Sequence, residues 1–339
     1  MNTQETKTIA VIGTTSWGTT LAILLARKGI IVRLLARTDE EAETLIKAGE
    51  NSRFTPGVPF PSTLTVTSSP KIAIEVADIV VIAVPSNTIR ANIRCISSFI
   101  KPEAILVSAT KGLEITTGLR ITEMIHEELE VGWNGTLCVL SGPNLASEIL
   151  QGKPSTTVIA CASEIHAKRI QDVFSSELFR VYTNNDIVGV ELGGALKNIF
   201  AIGAGICDGM KVGDNAKSAF VTRGLAEMVR LSAAAGGNPL TLAGLAGMGD
   251  MIATCYSELS RNRTIGFKLA SGMDLKNALQ SMNQVAEGVM TTAAVIELSR
   301  RLKVDMPITK CTYGILYESL SIKDAMSALL GRNPVSEWN

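Results

Sequence analysis

Lys197 is the residue whose surroundings most clearly indicate chemistry. It is the only charged residue between Leu192 and Cys207, in the segment LGGALKNIFAIGAGIC. Burial of so apolar a segment disfavours an ammonium ion and lowers its pKa towards neutrality. Such a lysine can give and take a proton at working pH, which predicts a catalytic acid and base. The alternative is a structural lysine that reaches the surface or pairs with a distant carboxylate.

A second group of polar residues occurs late in the chain, where Gly249 and Asp250 precede MIATCYSELSRNRTIG. If this is one helix, Asp250, Thr254 and Arg261 lie on one face, because steps of four and seven residues return to nearly the same direction. Asn262 is adjacent, and the planar fork of an arginine bonds two phosphate oxygens. The pattern predicts a polar wall for a substrate. The alternative is an ordinary helix N-cap at Asp250 and a surface charge at Arg261.

Other acid–base and metal-binding residues are scarce. The chain has two histidines, His126 and His166, both in polar helical segments typical of the surface. Histidine, the usual acid–base side chain, is therefore not expected at a buried position of this protein. The six cysteines are scattered without CxxC spacing, and no His or Cys cluster has ligand spacing. We expect no metal site. We also expect the cysteines to be reduced thiols, as in a cytosolic protein.

A glycine turn near the N-terminus indicates a nucleotide. The first strand-like run leads into Gly13-Thr14-Thr15-Ser16-Trp17-Gly18 and then the helical run TTLAILLARKG. Strand, glycine turn and helix form the setting in which dinucleotide phosphates bind at the start of a helix. Thr15 replaces the middle glycine of the GxGxxG pattern, so it either weakens cofactor binding or supplies its hydroxyl to a shifted loop. A plain tight turn is the alternative.

Arg37 ends the second strand-like run, LLAR. Sites that prefer NAD usually have Asp or Glu here for the ribose 2′-hydroxyl, whereas arginine suits a 2′-phosphate. Asp39 lies two residues later. We therefore expect NADP(H), with NAD(H) as well; the alternative is a solvated loop arginine.

Three further segments follow strand-like runs: Val84-Pro85-Ser86, Lys111-Gly112, and Ser141-Gly142-Pro143-Asn144. A doubly wound sheet binds its ligands just beyond the carboxyl ends of its strands. Lys111 is thus a candidate contact for an anionic substrate, and a solvated loop lysine is the alternative.

The elements that must position these residues change in type along the chain. The first half alternates Val- and Ile-rich runs with amphipathic segments, which predicts an α/β fold with a doubly wound, mostly parallel sheet. After about residue 186 the periodicity is helical, for example at 216–236 and 286–302. We place a boundary near 186–190, with domains at 1–188 and 189–339, the second all-α. The predicted strands are at 9–13, 31–36, 64–68, 78–84, 104–109, 136–142, 156–161 and 179–183.

The charge balance and the hydropathy of the chain limit the kinds of partner that the protein is expected to bind. The 339 residues include 32 Lys and Arg and 32 Asp and Glu, for a formal net charge of zero. That balance argues against a protein that binds nucleic acid or anionic membranes by electrostatics. No signal-peptide pattern precedes the first strand, and no uninterrupted apolar run has the ~18 residues of a spanning helix. We expect a cytoplasmic protein that is not inserted in a membrane.

Several long motifs resemble one enzyme family. VELGGALKNIFAIGAGICDGM, GDNAKSAFVTRGLAEM, GLAGMGDMIATC, SRNRTIG and VAEGV are similar to segments of the bacterial NAD(P)-dependent glycerol-3-phosphate dehydrogenases. The similarity runs from Ser16 to beyond Glu287. It implies a Rossmann-like domain, a helical C-terminal domain, and reduction of dihydroxyacetone phosphate to sn-glycerol 3-phosphate, a phospholipid precursor.

The resemblance also implies roles for individual residues. Lys197 would be the proton acceptor and donor, assisted by Lys111 and Asp250. Substrate would contact Lys111, Gly142, Asn144, Lys197, Asp250, Ser260, Arg261 and Asn262, with Asn198 orienting Lys197 and Thr254 in the polar wall. The dinucleotide would contact Ser16, Trp17, Arg37, Lys111, Ala146, Arg261, Val285 and Glu287, besides Gly13 and Gly18 of the turn. Thr15 and Asn144 depart from the family pattern, which usually has glycine and a small hydroxyl residue there.

Two other functions remain at this point. One is a related two-domain dehydrogenase for another hydroxy acid or ketone, against which the SRN triplet and Lys111 favour a phosphorylated substrate. The other is a dinucleotide sensor without turnover, against which the presence of both Lys197 and Lys111 argues. The resemblance further suggests a homodimer.

Overall fold

The computed structural model describes residues 8–129, 133–282, 286–334 and 336–337. Within them, the first part of the chain forms one eight-stranded sheet in the order β3-β2-β1-β4-β5-β6-β7-β8. Neighbouring strands are parallel except β6 and β7. The strands are β1 (Thr8–Ile12), β2 (Ile31–Leu35), β3 (Leu64–Thr67), β4 (Ile79–Ile82), β5 (Ile105–Ser108), β6 (Thr136–Ser141), β7 (Ser155–Ala160) and β8 (Phe179–Asn184). Each predicted run overlaps one of these strands, with ends that agree to within two residues, so the predicted doubly wound, mostly parallel sheet is confirmed.

Helices connect the strands and cover both faces of the sheet. They are α1 (Ser16–Arg27), α2 (Asp39–Ala48), α3 (Pro70–Ile74), α4 (Ile89–Ile96), α5 (Ile121–Glu128), α6 (Ala146–Leu150) and α7 (Glu164–Phe174). In β1, Ile9 and Val11 pack into one apolar layer, which includes α1 and α7 residues. Ala10 and Ile12 pack into the opposite layer, with α4 and α5. Burial on both faces explains why these strands do not alternate apolar with polar residues.

The strand order reverses between β1 and β4. From β1 the chain adds β2 and β3 on one side, and then returns to place β4 on the other side. In doubly wound sheets, the crevice at the carboxyl ends of such strands is where ligands bind. The glycine turn follows β1 at this position.

The second part of the described chain is helical, with no strand after β8. Its helices are α8 (Ile187–Gly209), α9 (Asp214–Ala234), α10 (Pro239–Leu242), α11 (Asp250–Tyr256), α12 (Arg261–Ala270), α13 (Leu275–Gln280), α14 (Glu287–Leu302), α15 (Pro307–Tyr317) and α16 (Ile322–Leu330). The carboxylate of Asp186 caps α8 by accepting a hydrogen bond from Gly189 N at 2.8 Å. The change from sheet to helices falls near the predicted boundary. The division at 188/189 stays a prediction, since α8 also contacts β6 and β7.

Helix α8 lies at the centre of the helical part. Among the described residues, α8 is the one helix that is both long enough and apolar enough to cross a membrane. However, 89% of its most apolar stretch is buried inside the protein. It crosses α12 at backbone contact: a Cβ on Gly205 would lie 1.9 Å from the carbonyl oxygen of Arg263, and one on Gly266 would lie 1.9 Å from that of Ile202. The glycines of α8 therefore permit close packing, which brings the start of α12 beside the middle of α8.

Candidate active site between the sheet and the helices

Two lysine ammonium groups meet one aspartate where the sheet contacts the helical part. Asp250, the first residue of α11, is 1% exposed. Its Oδ2 accepts a hydrogen bond from Lys111 Nζ at 2.6 Å, and its Oδ1 accepts a short one from Lys197 Nζ. One buried carboxylate therefore balances two ammonium groups that come from different parts of the fold.

Lys111 reaches this cluster from the loop that follows β5. Its Nζ also donates to the carbonyl oxygen of Gly142, just after β6, at 3.0 Å. The Lys111 side chain is 17% exposed, whereas that of Asp250 is 1% exposed. Lys111 thus lies at the carboxyl edge of the sheet, as predicted, and its side chain remains partly exposed.

Lys197 is buried in the middle of α8. Its Nζ also donates to Thr254 Oγ1 at 2.8 Å. Burial lowers the pKa of Lys197 to about 8, with Lys111 adding to the decrease and Asp250 opposing it. Of the earlier alternatives, the lysine does not extend to the surface; it pairs with a carboxylate distant in sequence. At neutral pH it is mainly protonated and can still release its proton.

The predicted single helix from Asp250 to Arg261 is wrong. Helix α11 ends at Tyr256, and Ser260 caps a separate helix, α12, by accepting a hydrogen bond from Arg263 N. Asp250 and Thr254 do share a face of α11, whereas Arg261 begins the next helix. The N-cap alternative for Asp250 also fails, since its side chain accepts no capping bond at the start of α11. Ser260, a good N-cap residue in the sequence, was the signal for the break.

Two asparagines link three helices beside Lys197. Asn262 Nδ2 donates to Asn198 Oδ1 at 2.9 Å, and Asn262 Oδ1 accepts from Gly288 N at 3.0 Å. Both asparagines are buried. The structure therefore brings Asn198 and Asn262 together next to Lys197, with the Asn262 amide engaged by α8 and α14.

Arg261 and Glu287 begin α12 and α14, respectively. Arg261 is exposed and Glu287 is half-buried. Burial raises the pKa of Glu287 to about 7, against the opposing effects of Arg261, the N–H of Ser86, Lys111 and Lys197. The predicted sheet-edge segment 84–86 thus meets the helical part at Glu287, and a carboxyl group that titrates near neutrality lies beside the lysines.

The glycine turn has the packing that a dinucleotide-binding turn requires. A Cβ on Gly13 would lie 2.8 Å from the carbonyl oxygen of Ala83, and one on Gly18 would lie 2.1 Å from that of Gly13. Both positions need glycine, since β1, the end of β4 and α1 touch there. The first N–H groups of α1 lie at the crevice between β1 and β4, where phosphates bind in this architecture. The turn fits a dinucleotide.

Thr15 uses its hydroxyl inside the turn. The hydroxyl donates to the carbonyl oxygen of Ala83 at 2.8 Å and accepts from Gly18 N at 3.1 Å. Thr15 is therefore the N-cap of α1, and one of the helix N–H donors is already satisfied by the protein.

Arg37 is exposed beyond β2, beside a carboxylate that the sequence did not single out. Glu41 accepts from Arg37 N at 2.9 Å and from Thr14 Oγ1 at 2.7 Å. Asp39, considered earlier, instead pairs with Ser68. Glu41 has no sequence motif; only the fold of α2 back onto the glycine turn identifies it.

The remaining predicted contacts lie around the same crevice or outside the described residues. Asn144 is held by β7: its Nδ2 donates to Thr156 O at 2.9 Å, and Thr157 Oγ1 donates to its Oδ1 at 2.9 Å. Ser16 and Trp17 begin α1, and Ala146 begins α6. Val285 lies outside the described residues. The structure therefore gives Asn144 a structural role at the end of β6.

No group of three or more His, Cys, Asp or Glu with metal-binding geometry occurs in the described parts of the chain. His126 is exposed, and His166 is half-buried with its Nδ1 3.0 Å from Thr136 Oγ1. Neither histidine contacts the lysine cluster. The titratable groups that the structure brings together here are Lys197, Lys111 and Asp250, with Glu287 nearby.

Two family models match consecutive parts of the chain. Residues 8–167 match the model described as NAD-dependent glycerol-3-phosphate dehydrogenase N-terminus, and residues 186–327 match the model described as its C-terminus. The first ends before β8, and the second starts beside α8.

Whole-length relatives point to the same family. A glycerol-3-phosphate dehydrogenase [NAD(P)+] of Prosthecochloris aestuarii is 46% identical over 329 residues, covering 97% of this chain and 99% of the relative. One of Dehalococcoides mccartyi is 47% identical over 330 residues, covering 97% and 92%. The crystal structure of glycerol-3-phosphate dehydrogenase from Coxiella burnetii superimposes with a TM-score of 0.92 at 38% identity, covering 96% of this chain and 99% of that one.

Proposed function

The chain belongs to the NAD-dependent glycerol-3-phosphate dehydrogenase family, and from that premise we propose that it interconverts dihydroxyacetone phosphate and sn-glycerol 3-phosphate. It is an NAD(P)-dependent oxidoreductase acting on a secondary alcohol. The product would supply phospholipid synthesis. The full-length relatives are named glycerol-3-phosphate dehydrogenases, which favours a phosphorylated substrate over another hydroxy acid. The same name favours an enzyme over a sensor without turnover.

One observation carries the chemical role: the buried Lys197, with a pKa near 8, bonded to Asp250 beside Lys111 at the carboxyl edge of the sheet. A carbonyl group that becomes an alcohol needs one proton on its oxygen. Burial lowers the pKa of Lys197 to about 8, close to neutral pH, so Lys197 is suited to exchange that proton.

A dinucleotide held over the glycine turn would supply or accept the hydride through its nicotinamide ring. As negative charge develops on O2 of the substrate, the Lys197 ammonium donates a proton to it, and the reverse reaction returns the proton to the amine. The second ammonium, on Lys111, stabilises charge on the same oxygen. Asp250 keeps both lysines in place and remains paired with Lys111 after Lys197 has become neutral.

The substrate phosphate is proposed to bind at the start of α12. Arg261 is the first residue of that helix, and the first turn carries N–H groups that favour anions. Asn198 and Asn262 form the wall between this position and Lys197. Binding energy from the phosphate would fix C2 of the substrate relative to Lys197.

The dinucleotide is proposed to lie over the glycine turn, with its pyrophosphate at the start of α1 and its adenosine ribose near Arg37. An arginine at this position favours a 2′-phosphate, and the neighbouring Glu41 carboxylate is suited to a 2′-hydroxyl. We therefore propose that both NADPH and NADH are used. Ala146, Arg261 and Glu287 would contact the cofactor from the opposite side.

The remaining proposals concern assembly and location. The buried position of α8 and the balanced charge support a cytoplasmic protein that neither inserts in a membrane nor binds nucleic acid. The family membership supports a homodimer. One family model ends at residue 167 and the other begins at residue 186, which supports a dinucleotide domain at 1–188 and a catalytic domain at 189–339.

The decisive experiment is oxidation of NADPH and of NADH with dihydroxyacetone phosphate, run beside dihydroxyacetone. We expect turnover with both cofactors and a strong preference for the phosphorylated ketone. Equal rates with the two ketones would remove the phosphate-binding role of Arg261. No oxidation of either cofactor would contradict the proposed activity.

A further inference from the structure

Glu191 is a buried carboxylate on α8 that joins the two parts of the chain. It is 6% exposed and lies on the same helix as Lys197. Its oxygens accept hydrogen bonds from Thr122 N at 2.9 Å, Thr122 Oγ1 at 2.6 Å and Arg120 Nη1 at 2.6 Å. All three donors come from the first turn of α5 or the residue before it. Glu191 therefore fastens the start of α8 to the start of α5.

One of these donors, Arg120, belongs to the loop that carries Lys111, and Thr122 is the second residue of the helix that directly follows this loop. The loop runs from the end of β5 to the start of α5, and it is closed by an antiparallel bridge between Leu113 and Arg120. Arg120 is thus held close to the Lys111 end of the loop. A displacement of Arg120 relative to α8 would be transmitted to Lys111.

Helix α8 touches this loop again between Glu191 and Lys197. A Cβ on Gly194 would lie 2.5 Å from Ser141 Oγ and 3.4 Å from Lys111 Cγ, so the helix backbone packs against the Lys111 stem. Residues 191, 194 and 197 are spaced by three, which places them along neighbouring turns of one side of the helix. All three face the Lys111 side of the protein.

We propose that Glu191 is a positioning residue that holds Lys197 at its place beside Lys111 and Asp250. The inference rests on the proposed function and adds to it a residue that touches neither substrate nor cofactor. Two ammonium groups at one carboxylate repel each other, so their separation depends on how firmly α8 and the Lys111 loop are fastened. Outside the cluster, Glu191 adds a polar connection between α8 and the start of α5, beside the apolar packing of Leu113 against α8.

The pKa of Lys197 is expected to depend on how firmly Glu191 holds α8 to the start of α5. The titratable groups that face it are Asp250 and Cys255 on α11, Lys111 on the loop and Glu287 on α14. Burial is the main reason for the low pKa of Lys197. If α8 loosens at Glu191, water reaches Lys197 and its pKa rises towards the ordinary value near 10.5.

The chain offers a matched control in Glu227 on α9. This carboxylate is 1% exposed and accepts from Ile308 N at 2.6 Å, Thr309 N at 3.2 Å and Thr309 Oγ1 at 2.9 Å, at the start of α15. Its partners are again helix-start N–H groups and a threonine hydroxyl. However, Glu227 and its partners all lie in the helical part, and none of them belongs to the Lys111 loop.

The test compares Glu191→Gln with Glu227→Gln in the full-length protein. NMR of protein labelled with ¹³C at the lysine Cε, assigned with Lys197→Met, gives the pKa of Lys197. We expect about 8 in the unmodified protein and in Glu227→Gln, and a clearly higher value in Glu191→Gln. We also expect kcat to fall at least about tenfold in Glu191→Gln only, since small displacements of catalytic groups are costly. Thr122→Val, which removes one bond to Glu191, is the milder variant if Glu191→Gln does not fold.

An unchanged pKa and kcat in the Glu191 and Thr122 variants would overturn the proposal. A lower pKa in Glu191→Gln would also overturn it, because the lost negative charge of Glu191, with Arg120 still paired to Glu123, would then act on Lys197 through space. These results are distinct from failure of the proposed function, in which the unmodified protein itself does not reduce dihydroxyacetone phosphate.

Discussion

Asp250 binds the ammonium groups of Lys111 and Lys197 through its two different carboxylate oxygens, so the two lysines lie on either side of one buried charge. This relationship has a chemical consequence. When Lys197 gives its proton to a substrate oxygen, Asp250 and Lys111 remain as a neutral pair, and no isolated charge is left in the interior. The cluster can therefore exchange a proton without a large electrostatic penalty.

Lys197→Met is expected to reduce kcat by about 10²–10⁴-fold, the range that a positioned acid–base group contributes. The melting temperature should change little, because Asp250 keeps Lys111 as its partner. Steady-state assays and thermal melts check both expectations. The matched control is Lys217→Met: Lys217 is 7% exposed and pairs with Asp208 at 2.7 Å, and its loss should lower stability but leave kcat nearly unchanged. Near-normal kcat in Lys197→Met would refute its catalytic role.

The two reaction directions should have opposite pH dependence. Burial lowers the pKa of Lys197 to about 8, so the protonated form, the proton donor for ketone reduction, is lost as pH rises through 8. Ketone reduction should thus decline above pH 8, whereas alcohol oxidation should rise through the same pH, when measured as kcat/KM. Glu287, with a pKa near 7, is expected to add an inflection that Glu287→Gln removes. Parallel profiles in both directions would contradict the assignment to Lys197.

Arg261→Gln should raise KM for dihydroxyacetone phosphate while changing the rate with dihydroxyacetone little. Loss of a charge-assisted hydrogen bond costs about 1.5–3 kcal/mol, or roughly 10- to 150-fold in affinity. Lys268→Gln, which makes the same charge change in the last turn of the same helix, is the control, since the Lys268 ammonium bonds to Ser281, away from the start of α12. Equal effects of the two substitutions would show that general electrostatics, not a phosphate contact, is responsible.

Thr15→Gly should tighten binding of NADH and NADPH by the same factor. The substitution frees Gly18 N, which Thr15 now caps, for the pyrophosphate that both cofactors share. One such hydrogen bond is worth about 0.5–1.5 kcal/mol, or up to roughly tenfold in Kd. Titration of tryptophan fluorescence measures it, with Thr15→Ser, which keeps the cap, as the control. Weaker binding in Thr15→Gly would instead show that the preformed cap aids the cofactor.

Arg37→Gln should weaken the binding of NADPH much more than the binding of NADH. A guanidinium group contributes to binding of the 2′-phosphate, which only NADPH carries, and loss of that contact should raise KM for NADPH by about tenfold or more. Kinetics with each cofactor at saturating ketone measure the ratio. Equal losses for the two cofactors would place Arg37 away from the 2′-position.

The sequence determined the strands of the sheet and the helical second part, although the break between α11 and α12 was not predicted from it, and it identified most of the residues proposed for the site. Val- and Ile-rich runs predicted each strand, because burial on both faces of a parallel sheet leaves a local composition that can be read directly. Lys197 was identifiable since a lone charge in an apolar helix has few structural reasons to exist. The long motifs around it were sufficient to identify the family.

The tertiary structure decided which of these residues meet. Asp250 is the partner of both lysines because α8, α11 and the loop after β5 converge, and no local pattern encodes a contact between such distant segments. The same holds for Glu191 with the start of α5 and for Glu41 with the glycine turn. Secondary structure follows mainly from neighbours in sequence, whereas the electrostatics of a buried site follow from packing, so the lowered pKa of Lys197 depends on contacts that its own segment of sequence does not specify.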